Sequence, residues 1–171
     1  PVGETWASAG VGAYPRLYHS VALLLPDATV WVAGSNPVRG TYEEHMEIYS
    51  PAYLFAVDGG GNVFPASRPT ITNVPTEVGY GTKFNIRTPD STDISSVVLA
   101  RPGSSTHSFD MEQRLISLAF QPGATGTVRA NAPPNGSIAP PGYYMLFLIN
   151  QAGVPSTAKF VHLTSVPKDR P

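Results

Sequence analysis

Cysteine is absent from the 171 residues, so no disulfide, thiol nucleophile or thiolate ligand belongs to this chain. Charge is sparse at 13%, eleven basic against twelve acidic residues, for a formal net charge of −1. With no basic run longer than two, nothing here marks a nucleic-acid or anionic-membrane partner. Long apolar runs are missing: the longest, YYMLFLI at 143–149, falls far short of the roughly 20 residues of a membrane span. A GxSxG elbow is lacking and no Ser, His, Asp set has supporting context, which argues against a serine hydrolase. Glu43 and Glu44 are adjacent, but nothing places an acid opposite a base, which argues against a glycosidase. The GGGN run lacks the lysine and following helix of a phosphate loop. Pro1 opens the chain with neither a start methionine nor a signal-like apolar segment, which points to a processed product or a piece of something longer.

What the chain has in excess is structural punctuation. Eighteen prolines, about twice the usual ~5% share, and sixteen glycines cut it into short segments unsuited to long helices. Between these breakers lie β-branched and aromatic runs at 20–25, 29–33, 46–49, 82–88, 95–100, 114–120, 126–131, 143–150 and 158–164, all of which read as strands. In KFNIRT, Phe84 and Ile86 alternate with Lys83, Asn85 and Arg87, the pattern of a strand with one face in a core. YYMLFLI is apolar on both faces and predicts a central strand covered on two sides. The expected fold class is all-β.

A division falls at 58–69, DGGGNVFPASRP, which is either a hairpin loop or a hinge. Beyond it, about six strands from Pro69 to Thr164 suffice for an immunoglobulin-like sandwich. Before it lie three or four strands, about one propeller blade's worth. A single blade cannot bury both faces, so this segment either packs on the sandwich or has neighbours outside this chain.

The chemistry concentrates in three side chains: Tyr18 and His19, adjacent in RLYHS, and His107 in RPGSSTHSFDMEQR. A phenolate with two imidazoles is a ligand set suited to copper. On a regular strand Tyr18 and His19 would point to opposite faces, so both reach one ion only from a loop or strand end. Taken alone, Tyr18 reads as an interfacial aromatic, His19 as a strand-capping histidine and His107 as an exposed loop residue. His45 and His162 read as structural. Asp110 and Glu112 either orient a ligand or serve a surface or Arg114-paired role. Asn135 heads an NGS sequon. In the PDA turn at 26–28, Ala28 stands where a hairpin would favour glycine, at a cost if its φ is positive.

The runs RLYHSVALLLPDATVWVAGSNP, RPGSSTHSFDMEQRLISL and PPNGSIAPPGYYMLFLIN resemble the C-terminal part of the copper radical oxidases, the galactose oxidase and glyoxal oxidase family, with GSNP and APPGYYMLFLIN nearer the glyoxal oxidase-like branch. The resemblance implies an all-β chain, a partial kelch-type propeller segment over 1–64 followed by an immunoglobulin-like early-set sandwich over 65–165, with a tail at 166–171. It implies one copper ion held by Tyr18, His19 and His107. Tyr18 would be the axial ligand and catalytic base, and His107 would be delivered from the sandwich. It further implies a secreted enzyme that oxidises a primary alcohol or aldehyde, or a carbohydrate, with dioxygen and releases hydrogen peroxide. The family's second tyrosine, crosslinked to a cysteine, has no counterpart in a chain without cysteine. That radical cofactor would belong to a missing N-terminal propeller portion or a companion chain, and this chain alone would be inactive. Two other readings remain: a carbohydrate- or protein-binding sandwich module using an aromatic platform such as Tyr80, Phe109 or Tyr143, and a family member that has lost its chemistry.

Overall fold

The computed structural model describes residues 8–165, so the tail expected at 166–171 lies outside the described residues. Among these residues there is no α-helix. The described residues form fifteen strands and one 3-10 turn. No helix among the described residues is long and apolar enough to cross a membrane.

The first region is an antiparallel sheet of β1 (Val21–Leu24), β2 (Val30–Ala33) and β3 (Glu47–Tyr49), with β2 in the middle. Its β1–β2 turn is held by Asp27, whose Oδ1 accepts from the Thr29 amide (3.0 Å) and hydroxyl (2.6 Å). The Thr29 hydroxyl, foremost among the causes, holds the Asp27 carboxyl below its ordinary pKa. Ala28 does adopt φ 65° in this turn, the conformation in which a non-glycine residue is strained. A 3-10 turn at Ala52–Leu54 leads into a hairpin of β4 (Phe55–Val57) and β5 (Val63–Pro65). The triple glycine lies in its loop, where Asp58 Oδ1 accepts from the amides of Gly60 (2.8 Å) and Asn62 (2.9 Å). Of the two readings of this stretch, the hairpin loop is therefore present.

The second region is a two-sheet sandwich. One sheet runs in the order β11 (Leu115–Leu118), β8 (Ile94–Ala100), β14 (Gly142–Asn150), β15 (Lys159–Thr164), β6 (Glu77–Gly79). The other runs β12 (Phe120–Pro122), β13 (Thr127–Asn131), β7 (Lys83–Arg87). All pairings are antiparallel except β15 with β6. The run 114–120, read from sequence as one strand, divides at Ala119: β11 belongs to one sheet and β12 to the other. Alternation alone does not reveal such a corner, because Leu118 is buried in the core and Phe120 packs against the same core from either side of it.

The main core lies between the sheets, with Phe84, Ile86 and Val128 facing Leu99, Tyr144, Leu146 and Leu148. Full burial of such side chains stabilises by about 1.5–3 kcal/mol each. On the opposite side of the five-stranded sheet, Val98, Ala100, Met145 and Phe147 form a second cluster with Ala28, Leu54 and Ala158. The first region thus covers the sandwich's outer face. Ala158 N–H donates to Pro26 O (2.7 Å) across this contact, and within the first region Tyr53 O–H donates to Ala28 O (2.7 Å), tying the 3-10 turn to the β1–β2 turn. This explains the two-sided apolarity of YYMLFLI: even-numbered residues enter the main core, while Met145 and Phe147 enter the outer cluster.

Candidate metal centre

His19 precedes β1 in a left-handed conformation, φ 64°. That single residue breaks strand alternation, so the Tyr18 and His19 rings stack with centroids 3.9 Å apart instead of pointing to opposite faces. The segment is braced by Gly34, Ser35 and Asn36, which follow β2. Leu17 N–H donates to Ser35 Oγ (2.8 Å) and Asn36 N–H to Tyr18 O (2.6 Å). Arg16 donates to Gly34 O (3.0 Å) and pairs with Glu47 (2.9 Å). Gly34 is required for the approach, since a methyl there would lie 2.7 Å from the His19 carbonyl oxygen, and its φ is +72°.

His107 sits at the tip of a hairpin between β9 (Ser105–Thr106) and β10 (Phe109–Asp110), two strands too short to be read from sequence. His107 and Ser108 have φ 51° and 63°, positive values at both central positions, as in a type I′ turn. Asp110 ties the base of the hairpin, its Oδ1 accepting from Ser104 N–H (2.9 Å) and Glu112 N–H (3.0 Å). Glu112 forms an ion pair with Arg101. Arg114 pairs with neither acid; it donates to Ile138 O (2.8 Å). Asp110 and Glu112 therefore hold the loop that carries His107. Gly103 lets β1 reach this base, for a methyl there would lie 2.8 Å from Leu23 Cδ2.

The two regions meet at the imidazoles. His19 Nε2 and His107 Nε2 are 3.2 Å apart, with the rings nearly perpendicular at 87°. The Tyr18 ring lies 5.8 Å from that of His107. On their far sides, His19 Nδ1 contacts Asn36 Oδ1 (3.0 Å) and His107 Nδ1 contacts Thr106 Oγ1 (2.8 Å). Tyr18, His19, Asn36, Arg39, Gly40 and Tyr42 line an open recess of about 520 Å³ beside the pair. Among the described residues no group of three or more His, Cys, Asp or Glu side chains could hold a metal, so any ion here would rest on two imidazoles with the Tyr18 phenol. Imidazole and phenol donors suit copper chemically. Sequence reasoning brought Tyr18, His19 and His107 together. It missed Ser35 and Asn36, although both stand in the GSNP run.

The other histidines lie elsewhere. His45 bonds Glu43 (2.6 Å) and stacks on Tyr14 at 4.0 Å, and His162 packs on Tyr143 at 4.6 Å. Tyr80 packs against the main core and donates its hydroxyl to Ala139 O (2.5 Å), which withdraws it from any aromatic platform.

The two packed sheets of the second region define the class: an all-β chain carrying an immunoglobulin-like sandwich. Residues 68–163 match the galactose oxidase-like, early set domain, and the chain belongs to that family. It is 39% identical to the aldehyde oxidase GLOX of Vitis pseudoreticulata over 95% of this chain and 33% of that protein. To the galactose oxidase of Gibberella zeae it is 35% identical over 96% of this chain and 24% of that protein. A solved fungal alcohol oxidase in complex with copper matches with a TM-score of 0.76 at 35% identity, covering 90% of this chain and 32% of that one. The chain thus spans a third or less of the length of these relatives.

Proposed function

We propose that this chain is the C-terminal portion of a secreted copper radical oxidase, in which Tyr18, His19 and His107 hold one copper ion. The observation that carries this is the 3.2 Å meeting of two Nε2 atoms delivered by separate regions beside a stacked phenol. The bound ion supplies a one-electron acceptor, paired in the family with a tyrosine crosslinked to cysteine. That crosslink lies outside this cysteine-free chain. Within the chain, His19 and His107 orient by their Nε2 atoms, and Tyr18 accepts the substrate hydroxyl proton as base. The recess lined by Arg39, Gly40 and Tyr42 admits a small primary alcohol or hydrated aldehyde. The complete reaction passes two electrons and two protons from substrate to dioxygen, giving the aldehyde or acid and hydrogen peroxide. Residues 1–64 are assigned to the end of a kelch-type propeller, 65–165 to the early-set sandwich and 166–171 to a tail. The exposed Leu24, Ile48 and Tyr49 on β1–β3 support the first assignment. The partner is the remaining propeller portion, on the same or a companion chain.

The test is a Cu(II) titration of the chain followed by electron paramagnetic resonance. One stoichiometric nitrogen-ligated signal is expected, lost in a Tyr18→Phe, His19→Ala, His107→Ala triple variant. His107→Ala should weaken copper binding far more than His162→Ala, and equal affinities would sink the assignment. Copper-loaded chain alone should release no peroxide from alcohols or aldehydes; turnover would overturn the placement of the crosslink outside it.

A further inference from the structure

We propose that Asn36 is a positioning residue that fixes the proton of neutral His19 on Nδ1 and so keeps its Nε2 a bare lone pair. The orientation of the Asn36 amide is set by its second partner. Asn36 Nδ2 lies 2.9 Å from the carbonyl oxygen of Thr41, which can only accept, so the NH2 group must face Thr41. Oδ1 is then the atom 3.0 Å from His19 Nδ1. An amide oxygen has no proton to give, and so Nδ1 must donate. A neutral imidazole carries a single N–H, which leaves Nε2 without one. The assignment rests on the Thr41 carbonyl and needs no assumption about a metal.

His107 is held differently. Its Nδ1 faces the Thr106 hydroxyl, which can donate or accept by rotating. The 3.2 Å contact between the two Nε2 atoms therefore has a defined sense in the metal-free chain: His107 Nε2–H donates to the His19 Nε2 lone pair, and Thr106 O–H donates to His107 Nδ1. When an ion takes both Nε2 atoms, only His107 has to move its proton to Nδ1, with the Thr106 hydroxyl turning to accept. His19 stays as it is. Asn36 thus holds the fixed ligand and Thr106 the adjustable one. The backbone agrees with this division, since the Asn36 N–H also donates to Tyr18 O (2.6 Å), so one residue braces both members of the Tyr18–His19 pair.

The proton assignment stands without the copper reading, whereas its consequence for affinity rests on it. The experiment is long-range 1H–15N spectroscopy of the histidine rings in the metal-free chain, at a pH where imidazole is neutral, followed by Cu(II) titration of the same samples. Wild-type His19 should show the Nδ1–H form. Asn36→Leu should populate Nε2–H at His19 and lower Cu(II) affinity by about 10- to 100-fold. Asn36→Asp keeps an acceptor and should retain both Nδ1–H and affinity within a few-fold. Should the leucine variant fail to fold, judged by the sandwich resonances, Asn36→Ala removes the acceptor with less apolar bulk. Nε2–H at His19 in the wild type, or an unmoved Nδ1–H in a folded Leu or Ala variant, overturns the inference even if copper binds. A tautomer that follows Asn36 in a chain that binds no copper upholds the inference and removes the copper reading instead.

Discussion

Strands β2 and β14 are both middle strands of largely antiparallel sheets built from aliphatic and aromatic residues, yet their surroundings differ completely. Tyr144, Leu146 and Leu148 of β14 are 0% exposed, while no residue of β1, β2 or β3 is buried. Pairing and local propensity suffice to form both strands. Burial depends on layers: β14 has a sheet on one side and the first region on the other, whereas β2 is covered only in part. The contrast divides the labour at the imidazole pair. The thick region supplies a stable base from which a hairpin projects His107, and the thin one leaves Tyr18 and His19 beside an open recess.

The sharpest way to test the contrast is to truncate both regions alike. Leu146→Ala should destabilise the chain by about 2–5 kcal/mol, because a cavity opens in a closed core. Ile48→Ala on β3 should cost about 0.5 kcal/mol or less, as at an exposed site. Urea unfolding measures both, and similar costs would mean that the thin sheet is covered in solution. A smaller effect than that of Leu146→Ala is expected at the close approach of Gly34 to His19. Gly34→Ala combines a positive φ with a methyl 2.7 Å from the His19 carbonyl oxygen, and should cost about 1–3 kcal/mol. Ring resonances of His19 should shift while those of the sandwich core do not; an unperturbed His19 would show that the contact relaxes elsewhere. The smallest effect belongs to the seam. Ala28→Gly relieves left-handed strain of about 1–2 kcal/mol but loses a buried methyl worth about 0.8 kcal/mol and loosens the unfolded chain. The thermal midpoint should move by only a few degrees, and a large drop would show that the methyl's packing in the seam dominates.

Sequence reading reached the thick region more fully than the thin one. The alternation in KFNIRT and the two-sided apolarity of YYMLFLI carry burial information along the strand itself: β7 matches residue for residue, and β14 is buried on both faces from Tyr144 to Leu148 while Tyr143 at its start is exposed. The requirement that Tyr18 and His19 leave regular strand geometry was legible from their adjacency, and a φ of 64° at His19 meets it. The β9–β10 hairpin escaped notice because two-residue strands leave no periodicity to count. The corner at Ala119 escaped because Leu118 and Phe120 keep a strand's spacing across it. Asn36 escaped for another reason: its role depends on which way an amide points, and that is set by the Thr41 carbonyl through a loop no spacing rule describes.

The turn that carries His107 has one further consequence. Two-residue turns with positive φ at both positions favour Asn-Gly, and each L-residue forced into that conformation costs about 1–2 kcal/mol. His107 and Ser108 fill both places. Anyone evolving this chain for heat resistance would find Asn-Gly there among the easiest gains, and each variant that took it would lose the imidazole. Selection for robustness and selection for chemistry pull in opposite directions at this turn, so its retention of histidine can serve as an indicator of which pressure has prevailed.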